Sequence, residues 1–164
     1  RIIVPLSTVV SGLSRFMVQF ILFLGFYFYY HFLGNQYINP SFKSLILLPI
    51  MIVQMAMLGQ GIGMIISALT TKYRDLSHLV NFGTQLMMYA SPIVYPLSVV
   101  PEKYKYIILA NPMTPVIEGF RQAFLGEGHL NLSLFIYSMN FTFLIFFLGL
   151  LIFNRVEKTF IDTV

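Results

Sequence analysis

The segment YRDLSHLVNFGTQLMMYASPIVYPLSVVPEKYKYIILANPMTPVIEGFRQAFLG, residues 73–126, decides how this chain is organised. It begins with a charged triplet, continues as a charge-free run long enough to cross a bilayer, and is then interrupted by Pro92, Pro96 and Pro101. A shorter apolar run, 106–117, follows. Apolar runs of about 10–14 residues are too short to span and are typical of re-entrant or interfacial segments. Because irregular backbone at membrane depth persists only beside protein or a water-filled cavity, the segment predicts a polar passage.

The composition excludes a soluble domain. Of the 164 residues, 57% are hydrophobic and only 10% are charged, and the mean hydropathy is +0.79. The net charge of +4 does not indicate a nucleic-acid partner, because the cations stand at the ends of apolar runs, as they do in membrane proteins. The sequence has no cysteine, which excludes disulfides and thiolate metal sites.

No residue pattern in the sequence predicts catalysis or a metal site. His31, His78 and His129 are scattered and form no ligand cluster. The sequence also shows no catalytic triad and no paired carboxylates, so we expect no catalytic residue. The chain starts at Arg1 without a methionine or a leader, and we interpret it as the C-terminal part of a longer protein.

Charge-free runs predict an all-α protein that crosses the membrane four times. They cover about residues 16–32, 44–69, 79–97 and 130–153, close to the roughly 17–25 residues that a spanning helix needs. Lysine and arginine predict the orientation. With the loop between the second and third spans in the cytoplasm, that side holds Arg1, Arg15, Lys72, Arg74, Arg155 and Lys158, against Lys43, Lys103, Lys105 and Arg121 on the other. Both ends of the chain are therefore expected to be cytoplasmic.

Two short helices are predicted between the third and fourth spans, at about 101–110 and 114–125. Pro101 suits the first turn of a helix, where its missing N–H does no harm. Asn111 should end that helix, because a residue before proline resists the α region. Thr114 is expected to be the N-cap of the next helix, with Pro115 at N1 and Gly126 just after its end. The pair would form a re-entrant hairpin on the outer side; two ordinary surface helices are the alternative.

The third span has a polar side. At roughly 100° per residue, one face carries Ser77, Asn81, Thr84, Gln85, Met88, Ser91 and Tyr95, with Tyr89 at its edge. Amide and hydroxyl groups inside a bilayer must face protein or water, because lipid leaves them unpaired. We interpret this side as a channel lining, with Asn81, Gln85, Met88, Tyr89, Ser91 and Tyr95 as the candidates. Hydrogen bonding between helices is the alternative.

Small residues recur in the second span. Gly59 and Gly63, with Ser67 one turn later, put a small residue at every fourth position. That spacing is typical of closely packed membrane helices. We therefore predict a packing role for Gly59 and Gly63.

The charged triplet Tyr73, Arg74 and Asp75 lies at the inner end of two spans. One interpretation is topological: the cations anchor the cytoplasmic side, and Asp75 favours the start of the next helix. The other is a contact or an intramolecular clamp near a cytoplasmic partner. Both interpretations stay open on the residues alone.

Several motifs of the chain, taken together and in order, carry a family resemblance. They are Tyr73-Arg74-Asp75, Ser91-Pro92 with Tyr95-Pro96, Pro101-Glu102, Asn111-Pro112 and the terminal stretch 157–162. With them the chain closely resembles the C-terminal portion of the permeases of bacterial type-2 ABC exporters for polysaccharides, which export O-antigen, capsule or teichoic acid. The resemblance covers essentially the whole chain.

The resemblance implies partners and roles. The permease would have six spans, of which these are the third to sixth, and would form a homodimer in the bacterial cytoplasmic (inner) membrane. A separate ATP-binding cassette subunit would bind ATP and Mg²⁺, so no cofactor is expected in this chain. The dimer, surrounded by membrane lipids, would pass a lipid-linked glycan outward. The two short outer helices would gate the exit, with Pro92, Pro96, Tyr104, Tyr106 and Arg121 as candidates.

Other functions remain alternatives. A type-2 ABC exporter could carry a drug, a lipid or teichoic acid instead of an O-antigen-like glycan. A membrane scaffold without transport activity is a second alternative. A membrane enzyme would need acid–base or metal-binding residues that the sequence lacks.

Overall fold

The computed structural model describes residues 3–33, 42–73, 75–126, 128 and 130–161. Within these ranges the chain is helical and has no strand, which confirms the all-α class. The helices are α1 (Ile3–Leu33), α2 (Phe42–Lys72), α3 (Leu76–Ala90), α4 (Glu102–Ala110), α5 (Thr114–Leu125) and α6 (Leu132–Ile161), with one 3₁₀ turn at Leu97–Val99.

Three of these helices are long and apolar enough to cross a membrane. The qualifying stretches are Val10–Phe32 in α1, Leu45–Thr70 in α2 and Leu132–Val156 in α6. They correspond to the first, second and fourth runs predicted from the sequence. Each helix has an apolar surface on most of its circumference, as expected for a helix that contacts lipid as well as protein.

The third predicted span is shorter than the sequence suggested. Helix α3 ends at Ala90, not near residue 97, and its 15 residues measure about 22 Å. Ser91 has the extended conformation, with φ −100° and ψ 141°, because Pro92 disfavours the α region for the residue before it. Turns and the short 3₁₀ segment lead from there to α4. The boundary at 97 was therefore wrong.

Helices α2 and α6 form the centre of the fold. The buried positions of α2 recur every three or four residues and those of α6 every three, four or seven, so each helix turns one stripe toward the other. The two helices run parallel, since Gln54 bonds Ser138 near their beginnings and Gly61 meets Phe146 further along both. The positions in the stripes are Leu48, Met51, Gln54, Leu58, Gly61, Met64 and Ala68 on α2, and Phe135, Ser138, Thr142 and Gly149 on α6.

The glycines that allow close packing are Gly61 and Gly149, not the predicted pair. A Cβ at Gly149 would lie 2.5 Å from the carbonyl oxygen of Gly61, and one at Gly61 would lie 2.9 Å from the backbone of Phe146. At Gly59 and Gly63 a Cβ would meet nothing within 4 Å. Positions 59 and 63 lie on the opposite side of α2 from Gly61, and a packing role for them stays a prediction.

Helix α5 is short but buried. Val116, Ala123 and Phe124 pack into the apolar cluster that α2 and α6 form with it. Phe124 also has edge-on ring contacts with α1, at centroid distances of 5.8 Å to Phe20 and 5.2 Å to Phe23. Helix α5 therefore joins α1 to the α2–α6 pair, whereas α4 has no buried residue.

The ends of α5 match the prediction in part. Gly126 ends the helix in the left-handed conformation, with φ 70°, as a glycine at that position should. The predicted N-cap, however, was wrong by one residue. Met113 occupies the cap position, while Thr114 lies inside the helix and its hydroxyl donates to the carbonyl of Ile108 at 2.5 Å. The hydroxyl thus satisfies the end of α4 instead of the start of α5.

Candidate functional site

The polar side of α3 is turned away from α2, the described helix against which α3 packs. On α3 the half-buried residues are Leu76, Val80 and Gly83, which mark the side toward α2. Asn81 and Gln85 lie at least about 100° around the helix from that side and are exposed. Met88 and Tyr89, the other candidates within the helix, are exposed as well.

The described helices do not satisfy these polar groups. Among the described residues, no hydrogen bond joins the amide of Asn81 or Gln85 to another helix. The hydroxyl of Thr84 donates to the carbonyl of Asn81 in its own helix. For Asn81 and Gln85 the described residues thus provide no interhelical hydrogen bond within this chain, and the channel lining and its alternative both stay predictions. The side chains are available to water, to a further protein segment or to a substrate.

Two candidates assigned to this stripe, Ser91 and Tyr95, lie beyond the end of α3, so the helical projection does not apply to them. Ser91 is buried, and its hydroxyl donates to the carbonyl of Met87 at 2.8 Å while accepting from Asn111 at 2.9 Å. The hydroxyl of Tyr95 donates to the carbonyl of Tyr89 at 3.0 Å. Both side chains stabilise the non-helical backbone that follows α3, which we call the α3 break (residues 91–95).

The turn between α4 and α5, residues 111–113, is held by the long helices. Ser138 donates from its hydroxyl to the carbonyl of Pro112, and Tyr137 donates to the carbonyl of Ala110 at 3.1 Å. Gln54 of α2 donates from Nε2 to the hydroxyl oxygen of Ser138 at 2.6 Å. The amide of Asn111 bonds Ser91, as described above. We call residues 111–113 the hairpin turn.

The hairpin turn lies beside the interior of the candidate spans, not beside their ends. Ser138 is six residues beyond the start of the α6 span and Gln54 is nine beyond the start of the α2 span, or about 9 and 14 Å along the helices. Gly119, further along α5, meets Met51 and Leu130, which are nearer those starts. Helix α5 therefore runs from the hairpin turn, beside the interior of the spans, back toward the beginnings of the α2 and α6 spans. This course favours the re-entrant interpretation over two surface helices.

A mostly buried ion pair connects α5 to the α3 break. The guanidinium of Arg121 donates to the Glu118 carboxylate at 2.9 Å, and the side chains of the two residues are 16% and 7% exposed. The same guanidinium donates to the carbonyl oxygens of Pro92 at 3.2 Å and Ile93 at 3.4 Å. Those carbonyls are accessible to a side chain because the chain is no longer helical there.

The predicted gate residues fall into two groups. Pro92 is buried and meets Arg121, so these two are brought together. Pro96 is exposed, and Tyr104 and Tyr106 lie on the open surface of α4, where they are 53% and 81% exposed. The structure does not bring these three to the ion pair.

Tyr73 and Asp75 of the charged triplet lie between α2 and α3. The amide of Tyr73 donates to the carbonyl of Leu69 at 2.9 Å, which extends α2, and Asp75 stands at the N-cap position of α3. The Asp75 side chain makes no capping hydrogen bond. Arg74 lies outside the described residues. The clamp remains a prediction.

Sequence reasoning missed the polar residues that position the hairpin turn. Gln54 and Ser138 lie in the most apolar runs of the chain, and polar side chains inside spans are costly enough to indicate a specific partner. Their presence could have been noted from the sequence. Their pairing could not, because they are separated by 84 positions.

In the described part of the chain, no three His, Cys, Asp or Glu residues are grouped so that they could hold a metal ion.

Comparison with known proteins gives one family. The family model described as ABC-2 type transporter matches residues 1–125. Two proteins from Klebsiella pneumoniae, each named O-antigen export system permease protein RfbA, are 31% identical to the chain over 162 and 163 residues, 99% of its length. A protein of the same name from Myxococcus xanthus is 27% identical over 124 residues, 74% of the chain. The chain spans 60% of the length of the two Klebsiella relatives.

Proposed function

The chain belongs to the ABC-2 type transporter family, and on that premise we propose that it forms part of the membrane subunit of an ATP-driven exporter of a lipid-linked polysaccharide of the O-antigen type. The observation that supports this choice of cargo is the 31% identity, over 99% of the chain, to permeases named for O-antigen export. Export of another cargo by the same family (a drug, a lipid or teichoic acid) is the competing proposal.

The proposed arrangement uses the helices as the third to sixth spans of a six-span permease. Helices α1, α2 and α6 cross the bacterial cytoplasmic membrane, and α3 crosses it together with the α3 break. Both ends of the chain face the cytoplasm, and the α4–α5 hairpin enters from the outside. Two copies enclose the channel, and a separate ATP-binding cassette subunit binds ATP and Mg²⁺. The depth of the hairpin turn beside Gln54 and Ser138 supports this arrangement.

The proposed route follows the polar side of α3. Asn81 and Gln85 expose amides, and Tyr89 exposes an aromatic ring, on a helix with no buried residue. Amides and tyrosine can bond sugar hydroxyls in turn as a glycan moves. At the outer end, Arg121 joins the α3 break to α5, and we expect the two to move together when the exit opens.

Paired substitutions test the lining. In the full-length protein, Gln85→Leu together with Tyr89→Leu should lower glycan export about tenfold or more, because the route loses its hydrogen-bonding groups. Export is measured as glycan at the cell surface in a strain lacking the native gene. Leu79→Ile with Leu86→Ile, on the other side of α3, should leave export unchanged. Unchanged export in the first variant, with dimer assembly intact, would remove the lining from the proposal.

The cargo is tested separately. Loss of the gene should cause lipid-linked glycan to accumulate in the cytoplasmic leaflet, where it is detected by mass spectrometry of extracted lipids after surface digestion. Purified complex with its ATP-binding subunit should hydrolyse ATP faster when lipid-linked glycan is added. Stimulation by a drug or a simple lipid, without glycan accumulation, would favour the competing cargo.

A further inference from the structure

Apolar packing holds the first half of α3 and leaves the second half open. The half-buried residues of the helix, Leu76, Val80 and Gly83, lie in its first half, and every position from 84 to 90 is exposed. The helix has no buried residue. Because the packing of an apolar face is what usually stabilises a helix in a protein, the position of the far end of α3 depends on other contacts.

Polar contacts attach that end immediately after Ala90. Ser91 is 6% exposed, and its hydroxyl donates to the carbonyl oxygen of Met87 at 2.8 Å. Met87 belongs to the last turn of the helix, where carbonyl groups lack partners within the helix itself. The same hydroxyl oxygen accepts a hydrogen bond from Nδ2 of Asn111 at 2.9 Å. This bond joins the end of α3 to the hairpin turn.

The hairpin turn fixes the orientation of the Asn111 amide. Its Oδ1 accepts from the backbone N–H of Met113 at 3.0 Å. If the amide were turned over, its NH₂ group would face that N–H, and two donors would oppose each other. The turn is held in its own place by Ser138, whose hydroxyl donates to the carbonyl of Pro112. Hydrogen bonds therefore lead from α6 through the turn to the end of α3.

We propose that Asn111 is a positioning residue for export: its side chain fixes the end of α3 to the hairpin turn and so determines where Tyr89 lies along the route. The role in export rests on the proposed function, whereas the attachment does not. A second attachment lies beside the first, since Arg121 donates to the carbonyls of Pro92 and Ile93. Two attachments restrain rotation about either one, so we expect the hairpin and the end of α3 to move as one body.

Hydrogen–deuterium exchange of the full-length protein in lipid nanodiscs, followed by mass spectrometry, tests the attachment. Asn111→Ala removes the donor of the bond and Ser91→Ala removes the acceptor. Each should speed exchange in the last turn of α3 about three- to tenfold, the effect of one hydrogen bond on local opening. Exchange in α2 and α6 should not change, whereas a general loss of stability would speed it there too. In the double variant the effect should be smaller than the product of the two single effects, because both remove the same bond.

Tyr137→Phe is the matched control. The Tyr137 hydroxyl donates to the carbonyl of Ala110, the residue before Asn111, at 3.1 Å. Its loss removes one hydrogen bond from the same part of the chain but not the bond to α3, and Ser138 still holds the turn. Exchange in α3 should therefore stay as in the unchanged protein. Unchanged exchange in Asn111→Ala and Ser91→Ala, or equal acceleration in Tyr137→Phe, would overturn the attachment whatever the protein exports.

Glycan at the cell surface, measured at equal amounts of protein in a strain lacking the native gene, tests the positioning role. Asn111→Ala and Ser91→Ala should lower it about fivefold, the size of effect expected when a contact between coupled elements is lost, and Tyr137→Phe should not. Faster exchange in α3 with full export would refute the role and leave a structural bond only. If the unchanged protein exports no glycan, the proposed function fails while the exchange result stands. If Asn111→Ala does not fold, Ser91→Ala decides.

Discussion

At the scale of single residues, Arg121 shows how a cation is held among apolar helices. Its guanidinium has a carboxylate and two backbone carbonyls as acceptors, so most of its hydrogen-bonding capacity is met within the protein. Removing one member of such a pair leaves the other charge buried and unpaired, which is strongly destabilising, whereas replacing both with apolar or neutral groups often is not. The Arg121–Glu118 pair is therefore a sensitive contact between α5 and the α3 break.

Arg121→Met should lower the free energy of unfolding by about 3 kcal/mol, because Glu118 is left buried without its partner. The double variant Arg121→Met with Glu118→Gln should recover most of that loss. Unfolding of the full-length protein is followed by the loss of its helical circular dichroism signal as a denaturing detergent is added. Lys103→Met, on the exposed surface of α4, is the control and should have little effect. Equal losses in the single and double variants would contradict the account of a compensated pair.

At the scale of helices, the parallel contact between α2 and α6 depends on glycine. Gly61 and Gly149 bring two backbones together because neither carries a Cβ, and such close approach is a source of dispersion energy between membrane helices. Gly59 and Gly63 belong to the same helix but face away from α6. The same residue type thus has different importance on the two sides of α2.

Gly149→Ala should destabilise the protein by about 1–3 kcal/mol, since its Cβ would lie 2.5 Å from the Gly61 carbonyl oxygen and a backbone atom cannot move aside as a side chain can. Thermal unfolding of the full-length protein measures the change. Gly63→Ala introduces the same methyl group into open space and should be neutral within this chain, or stabilising by up to about 1 kcal/mol through helix propensity. A similar loss of stability in both variants would contradict the explanation by a steric clash at Gly149.

At the scale of the whole molecule, the fold divides into a packed part and an open part. Helices α2, α5 and α6 share the apolar cluster, α1 adds its aromatic residues to it, and α3 and α4 have no buried residue. The open part contains most of the residues proposed to contact the substrate or form the exit. A helix with both sides exposed has surface left for further segments and for a polar route.

Accessibility labelling tests which side of α3 meets water. Because this chain has no cysteine, single cysteines can be introduced one at a time into full-length protein whose remaining cysteines, if any, are replaced. Asn81→Cys and Gln85→Cys should react with a membrane-impermeant thiosulfonate at least about tenfold faster than Leu79→Cys, since thiolate formation needs water. Mass shifts of the labelled protein give the rates. Equal rates on both sides of α3 would contradict a water-filled route along its polar side.

Local physics made much of the architecture predictable from the sequence. Charge-free runs predicted α1, α2 and α6, and glycine at position 126 predicted the end of α5, because both depend on residues close in the chain. The prolines signalled the interruption after α3, yet the end of the helix at Ala90 was missed because the apolar run continues past it. The helical projection of the polar residues applies as far as α3 extends and does not apply to Ser91 and Tyr95, while the channel lining itself stays a prediction.

The amino-acid sequence by itself determined that this protein is a helical membrane protein with an interrupted, partly polar segment, because bilayer thickness and proline geometry act on any chain alike. Only the tertiary structure decided that Gly61 and not Gly59 packs, that Arg121 holds the α3 break, and that Gln54 and Ser138 hold the hairpin turn. These contacts depend on the rotation and register of helices that are distant in the chain. If α2 were rotated by half a turn about its axis, Gly59 would face α6 instead of Gly61. No local sequence pattern fixes that rotation.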